Sequence, residues 1–385
     1  MSPQQQVWAT FQDLYGRPPE ILVRSPGRIN LIGEHTDYNG GPVLPAAIDR
    51  AVWLAAAKRA DTQCRLFACD YDEGYIVESQ PSKPLVHPSW ANYLLGVLVE
   101  IGWPGGLDLT FGGNLPIGAG VASSAAVQNA MALAANALFQ LGHTQMDLVQ
   151  LTHRAENQFV GVPCGIMDMF AGAMGRRNTF ICLNCHSLEY EYLPFGTTEL
   201  CFVLCHSGVE RRLASSEYQK RRQECAQGLA ILQRINPAMS ALSQVSEDLL
   251  AEKEHLLPPT LFRRCRYVVT EIARVGTAVQ ALRSQDYAAM GSLMYLTHQG
   301  LRDDFEVSCP ELNLLVEEAM HHPACLGARL MGAGFGGCTL NLVKKSKVCD
   351  FSAHVSQAYT RAFKRSLRHW TVHLDDGAEI VFFDV

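Results

Sequence analysis

Apolar residues follow two periodicities in the first half of the chain, which therefore predicts strands alternating with a few long helices. Short runs of β-branched, aromatic and small apolar residues predict strands at 51–57, 65–69, 107–111, 179–183, 188–193 and 200–205. Apolar positions at helical spacing predict helices at 90–102, 123–141, 146–159 and 166–174. Residues 20–80 are expected to be rich in strands.

The second half of the chain has a different pattern, because helical spacing dominates from 213 to 321. A glycine-rich strand region at 329–343 follows, and after it we expect a helix at 347–366 and strands at 370–374 and 379–383. The mixed order of strands and helices indicates an α+β or α/β fold in two lobes.

The change of pattern places a domain boundary near residue 190. A length of 385 residues suits two domains, which we predict at 1–190 and 191–385. Hydrophobic residues make up 48% of the chain and charged residues 18%, so buried cores are expected and disorder is not.

Charge and the terminal sequence limit the partners that the chain is expected to have. The net charge of -6, with no long basic run, argues against binding to nucleic acid. The first residues lack a charged-then-apolar signal pattern, and no apolar run is long enough to span a membrane. We therefore expect a cytoplasmic chain with no nucleic-acid or membrane partner.

Thirteen cysteines require an explanation, and without a secretory signal reduced thiols are favoured over disulfides. Cys182, Cys185 and His186 have the spacing of a haem-attachment motif, and Cys201 and Cys205 follow nearby, so a metal or haem site is the alternative. Both groups lie in apolar strand-like runs, in which cysteine serves as a small hydrophobic residue. We therefore expect core positions rather than ligands.

The segment 26–41 concentrates polar chemistry between glycines, directly after a strand-like stretch at 21–23. Carboxylates accept hydroxyl protons in pairs, and glycines let the backbone approach a ligand closely. The segment is therefore interpreted either as a loop that binds a polyhydroxylated ligand or as a polar turn after a strand.

Two glycine-rich segments suggest a site for phosphate. Residues 114–126 run from a strand through a glycine turn to two serines at a helix start, where unpaired N–H groups and partial positive charge suit phosphate. The segment is not a Walker loop, and a serine cap before a helix would look similar. Residues 329–338 hold four glycines in six positions, which indicates either a tight turn or a backbone that supports the ligand closely.

Glu156 and Asp168 are twelve residues apart, with a Gly-Val-Pro break between them. The break lets the two carboxylates converge from different helices. Asp168 near a helix start also suits a purely structural role, because a carboxylate there interacts favourably with the helix dipole.

Together these segments resemble the galactokinase family of the GHMP kinase superfamily. The three superfamily motifs occur in order at 26–41, 114–126 and 329–338, and residues 164–168 and 215–218 add galactokinase-like matches. The resemblance implies a two-lobed α+β GHMP kinase fold with an S5-like N-terminal domain, a ferredoxin-like C-terminal domain and ATP between them. It also implies a monomeric kinase that uses ATP and Mg²⁺ to phosphorylate the anomeric hydroxyl of α-D-galactose.

The resemblance assigns roles to matching positions. Asp168 would be the general base that takes the anomeric proton, and Arg28 would hold Asp168 ionised and offset negative charge during transfer. The sugar would contact Glu34, His35, Asp37, Tyr218 and the backbone at Gly165. The ATP phosphates would contact Gly118, Ala119, Gly120, Val121, Ala122, Ser123 and Ser124. Ser124 and Glu156 would ligate Mg²⁺, and Trp90 and Tyr93 would line the adenine pocket.

The chain departs from the family pattern at five positions, namely Ala122, Ala126, Gln128, Met169 and His206. These changes leave two alternatives open. One is a kinase for another sugar, such as an N-acetylgalactosamine kinase, and the other is a sensor that binds galactose and ATP without turnover. Retention of the two serines, Glu156, Arg28 and Asp168 favours an enzyme.

Overall fold

The computed structural model describes residues 1–116, 118–209 and 214–381. Within these ranges the chain forms three β-sheets that are covered by helices. The strands are β1 (Ile21–Asn30), β2 (Pro42–Val43), β3 (Pro45–Lys58), β4 (Cys64–Ala68), β5 (Glu73–Val77), β6 (Leu107–Gly113), β7 (Thr179–Asn184), β8 (Tyr190–Pro194), β9 (Leu200–His206), β10 (Cys325–Leu330), β11 (Cys338–Lys344), β12 (Arg368–Val372) and β13 (Glu379–Val381). The strands predicted at 65–69, 107–111, 179–183, 188–193, 200–205 and 370–374 are confirmed to within two residues at their ends, whereas β3 begins six residues before the predicted strand 51–57. Residues 382–383 of the last predicted strand lie outside the described residues.

The helices of the described residues also follow the predicted order. They are α1 (Pro3–Tyr15), α2 (Ala91–Glu100), α3 (Ser123–Phe139), α4 (Gln145–Arg154), α5 (Met167–Met174), α6 (Ala214–Gln233), α7 (Glu247–Glu252), α8 (Pro259–Arg283), α9 (Tyr287–Asp303), α10 (Pro310–His321) and α11 (Val348–Phe363). A π-helical turn, Ala155–Val160, extends α4, and the predicted helical position 213 lies outside the described residues.

The first sheet has the strand order β13-β1-β3-β6-β4-β5. β1 pairs antiparallel with β3, with an irregularity between Pro26 and Arg28. The interpretation of 26–41 as a loop after a short strand is wrong for its first part, because residues 26–30 continue β1. Pairing with β3 therefore fixes Arg28 on a strand.

Helix α3 contacts β1 and β3 of this sheet. Ala126, Ala130 and Ala134 are buried in the interface, and such small side chains let a helix lie close to a sheet while favouring the helical state. The backbone N–H of Arg28 donates to the Val121 carbonyl over 3.0 Å. The start of α3 is thereby tied to β1.

The second sheet is antiparallel, with the order β10-β11-β9-β12. Cys201 and Cys205 of β9 are buried in a cluster with side chains of α10 and α11, where they act as small hydrophobic residues. The thirteen cysteines, which all lie in the described ranges, form no disulfide bond. Within the described ranges, no group of three or more His, Cys, Asp or Glu side chains forms a metal site.

The second half of the chain also supports the first. β13 pairs with β1, and two side chains of α8 bind the backbone that follows β1. Glu271 accepts a hydrogen bond from the N–H of Gly33 over 2.8 Å, and the Tyr267 hydroxyl donates to the Glu34 carbonyl over 3.0 Å. These contacts hold the polar motif in one place. Among the described residues, no helix is long and apolar enough to cross a bilayer.

Candidate active site

Most of the predicted site residues meet around one cavity of about 270 Å³. It is lined by Arg28, Glu34, His35, Asp37, Ser124, Glu156, Gly165, Asp168 and Tyr218, together with Tyr38, Val162, Pro163, Cys164, Met167, Gly332 and Ala333. The lining comes from β1 and the segment after it, from the starts of α3, α5 and α6, from the π-helical turn Ala155–Val160 and the segment 162–165, and from the turn between β10 and β11. The fold thus unites segments that are separated by more than a hundred residues.

Arg28 and Asp168 form the charged pair of this cavity. Arg28 Nε donates to Asp168 Oδ1 over 2.9 Å. The Arg28 side chain is 5% exposed, whereas that of Asp168 is 31% exposed, so the carboxylate remains accessible from the cavity. Asp168 lies in the first turn of α5, where the helix dipole also favours negative charge.

The phosphate-loop segment lies against the same arginine. Arg28 Nη1 donates to the Gly120 carbonyl, which adds to the backbone bond between Arg28 and Val121. Ala122 precedes α3 with a φ of 60°, a left-handed conformation that glycine adopts far more readily than alanine. Ile117, which belongs to the predicted motif, lies outside the described residues.

Glu34 is held by groups that the sequence did not assign to the site. Its Oε1 accepts from Arg329 Nη1 and Nη2 over 3.0 Å each and from the Gly332 N–H over 2.8 Å. Burial disfavours the Glu34 carboxylate, but Arg329, Arg28 and the Gly332 amide outweigh burial and lower its pKa. The motif 329–338 therefore supports the predicted sugar-binding carboxylate.

Arg329 is fully buried and reaches two further segments of backbone. Its Nε donates to the Leu31 carbonyl over 2.8 Å, and its Nη2 donates to the Asn30 carbonyl. One side chain of β10 thereby fixes both the end of β1 and the rotamer of Glu34.

Aromatic rings build one wall of the cavity. The His35 ring lies 5.7 Å from that of Tyr218 and 4.7 Å from that of Phe305, measured between centroids. The hydroxyl of Tyr38, a residue that the sequence did not assign, lies 2.9 Å from His35 Nδ1. Burial lowers the pKa of His35 to about 4, so His35 is neutral at pH 7.

Asp37 lies directly against Gly165. A Cβ atom at position 165 would lie 1.8 Å from Asp37 Oδ2, so only glycine leaves room for the carboxylate. Burial, together with the Asp168 carboxylate, raises the pKa of Asp37 to about 7. Asp37 and Gly165, which were both predicted to contact the sugar, are therefore packed tightly against each other.

Glu156 and Ser124 lie together in the cavity lining, as the metal prediction requires. Gln128 Nε2 donates to Glu156 Oε2 over 2.8 Å, and burial raises the pKa of Glu156 to about 7. A carboxylate and a serine hydroxyl are oxygen ligands that suit Mg²⁺, which usually keeps water and substrate oxygens as its other ligands. A nearby cation would also offset the buried charge. The donor set thus fits Mg²⁺.

A second cavity of about 160 Å³ adjoins the first, because Ser124 lines both. Trp90, Tyr93, Tyr71 and Phe111 give it an aromatic lining, and Ser123 also lines it. Trp90 Nε1 donates to Glu73 over 2.6 Å, which fixes the indole. Tyr71 was missed from the sequence, since no spacing relates it to the other lining residues.

The other four positions that depart from the family pattern line neither of these two cavities. Met169 and Ala126 are buried in helices, and His206 is buried on β9 with its ring 6.2 Å from that of Trp370. Gln128 forms a hydrogen bond to Glu156, a predicted metal ligand.

Three family models match the chain. The galactokinase galactose-binding signature covers residues 9–58, the GHMP kinases N terminal domain covers 92–176, and the GHMP kinases C terminal model covers 278–359. The first two matches include Arg28, Glu34, Asp37, Glu156 and Asp168.

Curated and solved relatives resemble the chain over nearly its full length. A galactokinase of Roseiflexus sp. (strain RS-1) is 41% identical over 372 residues, which cover 95% of this chain and 94% of that protein. A galactokinase of Enterococcus faecalis is 37% identical over 380 residues, which cover 97% of this chain and 98% of that protein. The crystal structure of Lactococcus lactis galactokinase complexed with galactose has a TM-score of 0.92 at 31% identity and covers 97% of this chain and 98% of that one. A mevalonate kinase structure has a TM-score of 0.64 at 15% identity and covers 93% of this chain and 100% of that one. At this identity the similarity shows the fold alone.

Proposed function

The chain belongs to the galactokinase family of the GHMP kinases, and on that premise we propose how its two adjoining cavities bind galactose and ATP. It has the two-lobed α+β fold of that superfamily and is a sugar kinase, a phosphotransferase with an alcohol group as acceptor. The reaction transfers the γ-phosphoryl group of ATP to the anomeric hydroxyl of α-D-galactose and yields galactose 1-phosphate.

The observation that carries the assignment of sites is the position of Ser124. This residue lies in the first turn of α3 and lines both the polar cavity and the aromatic one. The start of a helix favours phosphate through its free N–H groups and partial positive charge. A sugar in one cavity and an adenine in the other would therefore meet at the phosphates.

In the proposed mechanism Asp168 is the general base. Its carboxylate takes the proton of the C1 hydroxyl, and the oxygen then forms a bond to the γ-phosphorus while the bond from phosphorus to the ADP oxygen breaks. Arg28 stabilises the charged carboxylate through its bond of 2.9 Å and places positive charge near the attacking oxygen. Positioning of the two substrates contributes further to the rate.

The sugar hydroxyls are proposed to contact Glu34, His35, Asp37, Tyr218 and the backbone at Gly165, which all line the polar cavity. Arg329 and the Gly332 amide occupy Glu34 Oε1 and so fix the orientation of this carboxylate. A preorganised carboxylate binds hydroxyls at a lower entropic cost than a mobile one. Sugar selectivity is therefore assigned to this wall.

ATP is proposed to contact the segment 118–124 with its phosphates, and Trp90 and Tyr93 with its adenine. Glu156 and Ser124 would hold Mg²⁺, which neutralises charge on the phosphoryl oxygens. Gln128 orients Glu156 for that role.

We also propose the domain division, the cellular compartment and the oligomeric state of the chain. The division into domains at 1–190 and 191–385 follows the change of pattern along the sequence. Thirteen cysteines without a disulfide bond favour a reducing compartment such as the cytoplasm. We also expect the chain to act as a monomer. Sedimentation of the purified protein would measure its oligomeric state.

A kinase assay across free sugars tests the function. The chain is incubated with ATP, Mg²⁺ and either galactose, N-acetylgalactosamine or glucose, and phosphorus NMR identifies the phosphorylated position. We expect anomeric phosphate on galactose. Anomeric phosphate on N-acetylgalactosamine alone would assign another sugar kinase, and galactose binding without turnover would assign a sensor.

A further inference from the structure

Arg222 of α6 has an unusual environment for a guanidinium group. It lies over the ring of Tyr38, with Cζ 5.1 Å from the ring centroid. Its Nη1 is buried and makes no hydrogen bond to any described residue. No described carboxylate lies within 4.0 Å of it, whereas its neighbour Arg221 pairs with Glu217 and Glu224.

Arg222 lines a cavity of about 450 Å³ that borders the polar cavity. Asp37, Tyr38, Cys164 and Gly165 line both this cavity and the polar one, so they form the partition between the two. Arg222 lines this cavity and is absent from the lining of the polar cavity, so its guanidinium contacts the shared residues from outside the proposed sugar site. Its charge acts on Asp37 through this wall.

We propose that Arg222 is a positioning residue for sugar binding, whose guanidinium fixes the Tyr38 ring and balances the charge of the Asp37 carboxylate. The inference rests on the proposed function, because it concerns the same sugar-binding wall. Asp37 accepts hydroxyl protons best as a carboxylate, which has no proton of its own and two acceptor oxygens. Arg222 stabilises that form without competing for the face that meets the sugar.

The electrostatic surroundings of Asp37 show why such a charge matters. Burial is the largest cause of its raised pKa, and the carboxylates of Asp168 and Glu34 raise it further, while Arg222 lowers it. Other titratable groups around Asp37 are Tyr38, Cys164, Cys185, Tyr218, His153, Arg154 and His186. Arg28 forms its hydrogen bond with Asp168, so it does not supply the positive charge beside Asp37 that we assign to Arg222.

Arg222→Met keeps an apolar contact with Tyr38 and removes the charge. At pH 6.5 we expect the KM for galactose to rise roughly three- to tenfold, because more Asp37 is protonated, and at pH 8.5 to change less than about twofold. The kcat at saturating galactose and the KM for ATP should stay within about twofold of the unmodified protein. Arg222→Lys restores the positive charge, so the pH dependence of its KM for galactose should be close to that of the unmodified protein.

Arg176→Met is the matched control, because it removes an arginine stacked 3.9 Å from the ring centroid of Tyr192, away from either cavity. It should leave the pH profile of KM unchanged. If Arg222→Met does not fold, Arg222→Gln is measured in the same way. A KM that rises equally at both pH values, or fails to recover in Arg222→Lys, would refute the proposal in favour of a packing role. Failure of the unmodified protein to phosphorylate galactose would instead refute the proposed function.

Discussion

Gly165→Ala is the smallest change that should damage the proposed sugar site. The added Cβ would lie 1.8 Å from Asp37 Oδ2 and 2.3 Å from its Cγ. Ordinary contacts between heavy atoms are about 3.5 Å, so the carboxylate or the 165 backbone must move by about 1.5 Å. The φ of Gly165 lies outside the left-handed region, so the methyl group itself is the perturbation.

The magnitude follows from the required displacement. Misplacing a substrate-positioning group by about 1 Å costs on the order of a hundredfold in rate. We therefore expect kcat/KM for galactose to fall about 100-fold, equivalent to about 2.7 kcal/mol, with an unchanged KM for ATP. Overpacking should also cost about 1–3 kcal/mol of unfolding free energy.

Steady-state kinetics at varied galactose measures the effect. Gly276→Ala is the control, because a Cβ there would meet no atom within 4 Å and should stabilise α8 by about 0.5–1 kcal/mol without affecting kinetics. In the double variant with Asp37→Ala, the loss from Gly165→Ala should largely disappear, since the clash acts through Asp37. A folded Gly165→Ala protein with KM and kcat within twofold of normal would refute this reasoning.

Three further predictions concern stability, each measured by urea unfolding. Ala122→Gly should raise the unfolding free energy by about 0.5–1 kcal/mol, since Ala122 has a φ of 60°, and an unchanged midpoint would contradict the assigned strain. Arg329→Met should cost about 3–5 kcal/mol because it leaves Glu34 buried without its partner, and adding Glu34→Gln should recover part of that loss. Burial raises the folded-state pKa of Asp37 to about 7 from 3.8, so ionisation costs stability increasingly between pH 4 and 7. Asp37→Asn should therefore stabilise the protein more at pH 8 than at pH 4, and an equal effect at both would exclude the raised pKa.

The periodicity of the sequence predicted most elements, because the core strands and helices carry clear apolar patterns. It failed at β1, whose second part holds buried polar residues that look like a loop when read alone. Helix α1 was missed although Ser2 and Gln5 form a capping box, a signal that is readable from the sequence.

The motif residues of the candidate site can be named from the sequence, whereas the distant side chains that hold them cannot. Arg329 binds Glu34 from 295 positions away, and Arg222 reaches Tyr38 from α6, so no local pattern reveals either role. Tyr38 lies inside the first motif, but its ring acquires a role only beside His35 and Tyr218. Such partners are set by tertiary packing rather than by spacing.

The central claim is that Asp168 takes the proton of the sugar beside Arg28. Asp168→Asn keeps the shape of the side chain and removes its basicity, so galactose affinity measured by calorimetry should stay within about threefold. The kcat for galactose phosphorylation should fall by about 10²–10⁴-fold, the usual contribution of a general base. A kcat within tenfold of the unmodified protein, with galactose still bound, would contradict the assignment of Asp168 as the base.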